Sequence, residues 1–232
     1  QLNDKTAKDI MTDRTRLTVL DASENIKTAL DKYLEDGYSR FPVVRENDKD
    51  DVVGYVYAYD IVQQSRIDDR VPVTRINRTI ITVPESMPIQ DILRLMISKH
   101  TPIVLVVDEY GGTSGIVTDK DIYEELFGSV KDEIDDVSDD YIIKDAEGNI
   151  RVSGKTTLYD FERYFHQNLK SFQNSDIITI GGYMMERYPD LKKGESIELE
   201  GFRFTLDDIQ QGFMRWFIVE GPKTNDQAKK EE

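Results

Sequence analysis

The side chains best spaced to do chemistry in this sequence are a hydroxyl and a carboxylate three positions apart, Thr118 and Asp121. With the threonine at the end of a strand and the aspartate in the first turn of the following helix, both can face one cleft. A carboxylate there can accept hydrogen bonds from two vicinal hydroxyls, as acidic side chains do when they recognise ribose. The start of a helix also favours an anion, either the aspartate itself or a nearby phosphate. The same T-x-x-D spacing equally suits a plain helix cap, in which Asp121 does no more than hold its own helix end.

Other candidate groups carry less. Gly148-Asn149-Ile150-Arg151-Val152-Ser153-Gly154-Lys155-Thr156 approximates a phosphate-binding loop, but five residues separate its glycines where the motif demands four. Ile150 to Val152 alternates as a strand, and Thr157-x-x-Asp160 opens a helix. Eight carboxylates gather between Glu124 and Asp140, among them Asp132, Glu133, Asp135, Asp136, Asp139 and Asp140. They lack the spacing and central glycine of a calcium loop and read as a solvated charge run. His100 and His166 stand apart, without the company a zinc site or a catalytic triad needs. Ser114, in Gly112-Thr113-Ser114-Gly115, does not match the nucleophile elbow of hydrolases and reads as a turn residue. No nucleophile and base pair is apparent, so an enzyme is not expected.

The elements that must position Thr118 and Asp121 come from an internal repeat. Gly54-Tyr55-Val56-Tyr57-Ala58-Tyr59-Asp60-Ile61 is echoed 61 positions later by Gly115-Ile116-Val117-Thr118-Asp119-Lys120-Asp121-Ile122. Upstream, Arg40-Phe41-Pro42-Val43-Val44 matches Thr101-Pro102-Ile103-Val104. Each follows an apolar stripe at helical period: Ile26, Ala29, Leu30, Tyr33 and Leu34, then Ile89, Ile92, Leu93, Met96 and Ile97. Asp21 with Glu24, and Ser86 before Pro88, are the expected helix starts. Each copy reads strand, helix, strand, strand, helix. A unit of this size buries its faces poorly alone, so the two copies are expected to pack together.

Composition sets limits. The chain has 232 residues and a formal net charge of -15, which repels nucleic-acid phosphates and anionic lipid. The absence of cysteine excludes disulfides and thiolate metal sites and fits a reducing compartment. No apolar run approaches the roughly 20 residues of a spanning helix.

With Asp108-Glu109-Tyr110-Gly111-Gly112-Thr113-Ser114-Gly115-Ile116-Val117-Thr118 and the opening Asp9-Ile10-Met11-Thr12-Asp13-Arg14, the repeat resembles the CBS-domain pair of the CorC/HlyC and CNNM family of magnesium and cobalt transport proteins. Asp13 stands where that family usually has proline. The resemblance implies an adenine nucleotide between the modules, ATP foremost with ADP or AMP possible, accompanied by Mg2+. Thr118 and Asp121 would hold the ribose and Tyr38-Ser39-Arg40-Phe41-Pro42 the base, with Thr12 and Ile116 beside them. Arg40 or Arg14 would supply positive charge for phosphates, although both equally suit surface ion pairs. In the first copy Tyr57 takes the place of Thr118, and a phenol ring there would crowd a ribose, so one competent site per chain is expected. The resemblance further implies a homodimer through the CBS modules and a transmembrane domain preceding Gln1. This part would then lie at the cytoplasmic face of a cell membrane. The alternative from another class is a protein-interaction or dimerisation module with an empty cleft.

From about Tyr141 the pattern changes to an α+β unit. Strands are expected at Tyr141 to Lys144, Ile150 to Val152, around Ile177 to Ile180, Ser196 to Leu199, Phe202 to Leu206 and Met214 to Val219. A helix spans Leu158 to Phe165, and Glu200-Gly201 makes a hairpin turn. Thr179-Ile180-Gly181-Gly182-Tyr183-Met184-Met185, Pro189 and Lys193-Gly194-Glu195 resemble the CorC/HlyC transporter-associated domain. The expected organisation is α+β: CBS modules at 1–66 and 67–130, an acidic linker at 131–140, the transporter-associated domain at 141–222 and a disordered tail at 223–232.

Overall fold

A computed structural model of the chain describes residues 4–37, 40–127, 141–173, 175 and 177–222. The expected acidic linker and tail lie outside these residues. The chain divides into two compact units, Gln1–Val130 and Lys131–Glu232.

The first unit contains the repeat, with the β-α-β-β-α order the sequence implies. The first copy runs β2 (Leu20–Asp21), α2 (Ile26–Asp36), β3 (Arg40–Arg45), β4 (Asp48–Tyr57) and α3 (Ala58–Ile67). The second runs β5 (Ile81–Pro84), α4 (Ile89–Lys99), β6 (Ile103–Val107), β7 (Thr113–Thr118) and α5 (Asp119–Phe127). Ahead of both stand α1 (Ala7–Ile10) and β1 (Thr12–Asp13). In each copy the first two strands are parallel and the last two antiparallel.

The short leading strand does not join the copy that follows it. β1 pairs antiparallel with β7, Thr12 opposite Ile116 and Asp13 opposite Gly115, completing a sheet of order β1-β7-β6-β5. Gly115 permits this approach, because a Cβ there would collide with the carbonyl oxygen of Thr12. Conversely, Arg78, between the copies, bridges Tyr55 at the free edge of β4. The first copy's core gathers Leu20, Ile26, Ala29, Phe41, Val43, Val56, Ile61 and Val73. Between the copies lies a seam of Leu17, Tyr55, Ile103, Leu105 and Ile116. Each Val, Leu, Ile or Phe among them contributes about 1.5–3 kcal/mol on burial.

The helix starts differ from the sequence expectation. Asn25, not Asp21, caps α2, its Oδ1 accepting the Thr28 amide at 3.0 Å. Asp21 instead accepts the Ser23 amide, the Ser23 hydroxyl and the Asn47 amide, tying the chain to the β3–β4 turn. Pro88, not Ser86, precedes α4, since proline's fixed φ already suits a helix entrance. Both histidines close helices: His100 after α4 and His166 in the second unit each adopt the left-handed conformation, with φ of 51° and 53°.

The second unit packs helices on an antiparallel sheet of order β10-β11-β12-β9-β8. Its strands are β8 (Ile142–Lys144), β9 (Ile150–Ser153), β10 (Ser196–Leu199), β11 (Phe202–Gln210) and β12 (Phe213–Glu220), and its helices α6 (Leu158–Phe165), α7 (Lys170–Gln173) and α8 (Ile180–Arg187). Phe161, Phe172, Tyr183, Phe202, Phe204 and Phe217 fill the core. Glu200-Gly201 turns the β10–β11 hairpin with both φ positive, as a two-residue turn requires.

The strand expected around Ile177 to Ile180 is not formed. Thr179 caps α8 instead, its hydroxyl accepting the Gly182 amide at 3.2 Å. β-Branched residues before the cap read as a strand, but Ile180, Tyr183 and Met184 are spaced to bury one helix face. Gly154 and Gly181 meet backbone to backbone, the Gly181 amide donating to the Gly154 carbonyl at 2.8 Å. The phosphate-loop-like stretch is thus a turn, strand β9 and a close-packed connection from β9 to α6.

Candidate functional site

Thr118 ends β7 and Asp121 is the third residue of α5. They form a reciprocal capping box: the Thr118 amide donates to Asp121 Oδ2 at 2.8 Å, and the Asp121 amide donates to Thr118 Oγ1 at 3.2 Å. The capping reading of this pair is therefore realised. The box also fixes Asp121 in place and uses only one of its carboxylate oxygens. Burial pushes its carboxyl above the ordinary aspartate range, and Glu124 adds to this. The Thr118 amide and hydroxyl and the Arg40 charge pull it back.

Arg40 reaches this place from the other copy. It starts β3, is buried, and pairs with Asp119 at 2.7 Å. Its guanidinium also lies 5.9 Å from the ring centroid of Tyr57, its cross-strand neighbour. The two side chains of the pair are 2% and 9% exposed. Burying both ions carries a desolvation cost that offsets much of their attraction, so a pair of this kind is weak evidence of added stability. It joins the modules beside Asp121.

Among the other residues the sequence singled out, Thr12 and Ile116 face each other across β1 and β7, two positions before Thr118. Phe41 is fully buried in the core of the first copy, so its ring is not available to a base. Pro42 is buried beside it, in register with Tyr55. What these two positions can offer a ligand is backbone. Tyr38 and Ser39 lie outside the described residues. Arg14 is engaged with Asp50, which also accepts the Thr113 amide at 2.9 Å, and these two bonds hold the Asp50 carboxyl below its usual range. Of the two arginines proposed for phosphate, only Arg40 stands beside Asp121.

Asp119 was not singled out from the sequence. The signal is in the repeat: Arg40 and Asp119 align with Thr101 and Ala58 at the same 61-residue offset, so a complementary charge pair exists on one side of the pseudo-symmetric seam only. Among the described residues no group of three or more His, Asp or Glu could hold a metal ion, and no helix is long and apolar enough to cross a membrane.

Comparison with known proteins places this arrangement. The chain matches the CBS domain family over residues 7–66 and 72–128, and the transporter associated domain CorC_HlyC over residues 143–220. It is 30% identical over 225 residues to the UPF0053 protein YugS of Bacillus subtilis, covering 97% of this chain and 51% of that protein. It is 31% identical over 205 residues to the magnesium and cobalt efflux protein CorC of Salmonella typhimurium, covering 88% of this chain and 69% of that one. The chain thus spans only part of the length of these relatives.

Among solved structures, a hemolysin-like protein containing a CBS domain from Oenococcus oeni PSU is 55% identical with a TM-score of 0.53, over 55% of this chain and 93% of that one. The CBS domain of a bacterial CNNM/CorC family Mg2+ transporter in complex with ATP is 33% identical with a TM-score of 0.52, over 55% of this chain and 90% of that one. With a CBS pair followed by a CorC_HlyC domain, and with a CorC efflux protein among the relatives that match most of its length, the chain belongs to the CorC/HlyC family of CBS-domain proteins.

Proposed function

We propose that this chain is the regulatory part of a membrane-anchored divalent-cation transporter of the Mg2+/Co2+ type, and that it binds an adenine nucleotide between its CBS modules. The observation that carries this reading is the placement of the Thr118–Asp121 pair at the seam between modules, with Arg40 of the first module beside it. Asp121 Oδ2 is committed to the capping box, which leaves Oδ1 to accept ribose hydroxyls. Exchange of the Arg40–Asp119 pair for a phosphate contact gives the ligand a charge-assisted partner. ATP with Mg2+ is the ligand favoured, the cation travelling on the phosphates as it does in most nucleotide complexes. The ATP complex of the related CBS domain supports the choice.

The modules proposed are residues 1–66 and 67–130, with a linker at 131–140 and the transporter-associated domain at 141–222. Homodimerisation through the modules and a position at the cytoplasmic face of the membrane belong to the same reading. For binding to gate transport, the nucleotide must prefer one packing of the modules over another. The leading segment supports a mechanical route. It is fixed to the second module by β1, by the Ala7 amide on the Met87 carbonyl at 2.9 Å, and by a Lys5–Glu125 ion pair on α5, the helix that opens with Asp119 and Asp121.

The capping box itself favours a second reading, an interaction module whose cleft holds no ligand. Calorimetric titration with ATP and AMP, each with and without Mg2+, separates the two. Binding near one per chain, abolished in Asp121→Ala with the fold retained, is the expected result. No binding at millimolar nucleotide, and no rise in melting temperature, overturns the proposal in favour of the interaction module.

A further inference from the structure

The pseudo-symmetry of the first unit creates a second cleft with the same ingredients. Asp60 is the third residue of α3 as Asp121 is of α5. Tyr55 on β4 corresponds to Ile116 on β7 at the 61-residue offset, and Gly54 to Gly115. Each of these strands carries a short neighbour. Thr12 lies opposite Ile116, and Arg78 lies opposite Tyr55, with the Tyr55 amide on the Arg78 carbonyl at 2.9 Å and the Arg78 amide on the Tyr55 carbonyl at 2.7 Å. The close approach is also shared, since a Cβ on Gly54 would collide with Asn77 and the Arg78 carbonyl as one on Gly115 would with Thr12. Arg78 is therefore the spatial counterpart of Thr12.

The two clefts differ in what meets the carboxylate. Beside Asp121 the neighbouring strand offers a threonine. Beside Asp60 it offers a guanidinium, whose Nε and Nη2 lie 2.9 and 2.8 Å from Asp60 Oδ2. Tyr57, at the position of Thr118, is fully buried, with its ring beneath Arg40 and edge-on to Tyr59. The sequence assigns the closure of this cleft to Tyr57. In the structure the group that sits on the carboxylate is Arg78.

We propose that Arg78 limits the chain to one nucleotide: it acts as an internal occupant of the second cleft, holding Asp60 in the way a ribose would, and its removal exposes a latent nucleoside site. This rests on the reading of Asp121 as a ribose-binding carboxylate. A guanidinium is the occupant best suited to this role, because it gives the carboxylate strong charge-assisted donors without any ligand. A diffusing ribose with neutral hydroxyls competes poorly against a tethered cation, whose effective concentration is fixed by the chain.

The test is the stoichiometry of ATP binding by calorimetry and equilibrium dialysis. Five proteins are compared: the unaltered chain, Arg78→Thr, Asp121→Ala, and the double variants Arg78→Thr/Asp121→Ala and Arg78→Thr/Asp60→Ala. The expected values are one, two, none and one nucleotide per chain, and Arg78→Thr/Asp60→Ala returns to one. If the unaltered chain binds one and Arg78→Thr still binds one, Arg78 is not the gate and this inference fails alone. If the unaltered chain binds none, the reading of Asp121 fails first, and the inference stands or falls on whether Arg78→Thr gains a site that Asp60→Ala removes. Circular dichroism verifies folding. Should Arg78→Thr not fold, Arg78→Gln, which keeps the aliphatic stem and loses the charge, carries the same comparison.

Discussion

Replacing Glu162 with glutamine will stabilise the second unit, and only above mildly acidic pH. Glu162 lies in α6 with no solvent exposure, and its Oε2 accepts the Leu169 amide at 3.0 Å. Burial pushes its carboxyl up to about 7 from 4.5, against the pull of the Leu169 amide and Arg163, with Glu200 adding to the rise. Between those two values the folded state keeps a proton that the unfolded chain has released, so stability falls as pH rises through this window and levels off above it. A rise of about 2.5 pH units at about 1.4 kcal/mol each makes the deficit about 3–4 kcal/mol. Glutamine still offers an oxygen to the Leu169 amide and cannot ionise. Glu162→Gln should therefore match the unaltered protein near pH 4.5 and exceed it by about 3–4 kcal/mol at about pH 8. Urea unfolding followed by Trp216, the chain's single tryptophan and a resident of β12, reports on this unit alone. A stability difference that stays constant with pH, or a variant weaker than the parent at alkaline pH, refutes the assignment.

Arg40→Met leaves Asp119 buried without its partner and should cost the first unit about 3–5 kcal/mol in denaturant unfolding followed by circular dichroism. Adding Asp119→Leu should recover most of it. Gly115→Ala places a methyl against the Thr12 carbonyl; a loss of about 1–3 kcal/mol by the same assay, together with weaker ATP binding, is expected as β1 is forced off β7. Thr118→Val removes one half of the capping box at a cost of about 1 kcal/mol, read as a lower melting temperature.

Much of the first unit was legible because its signal occurs twice. The 61-residue repeat fixed strand and helix order in both copies, and short apolar runs such as Ile103 to Val107 left little choice of element. Thr118 and Asp121 were found because their types and spacing are local. Arg78 was not, because its role comes from a cross-strand neighbour, Tyr55, more than twenty positions earlier. The burial of the Phe41 ring was not legible for a related reason: strand position says that alternate side chains face opposite ways, but not which face meets the core. In the second unit, α8 was hidden by β-branched residues whose local preference for a strand was overridden by the Thr179 cap and the buried face of Ile180, Tyr183 and Met184.

The crossed pairing of β1 with the second copy and Arg78 with the first has a consequence for the order in which the chain can fold. Thr12 waits for Ile116, a partner 104 positions downstream (116 − 12), before its backbone groups find their places. Contacts of such long sequence separation slow folding and tie it to a late event. On a ribosome, the first copy can gather its core once Arg78 has emerged, and residues 5–8 can meet residues 85–89 soon after, whereas β1 stays unpaired until β7 follows. The seam that holds Arg40 against Asp119 is thus assembled only when nearly all of the first unit has been made, and a chain interrupted before Thr118 contains most of the repeat but neither Asp119 nor the Thr118–Asp121 box.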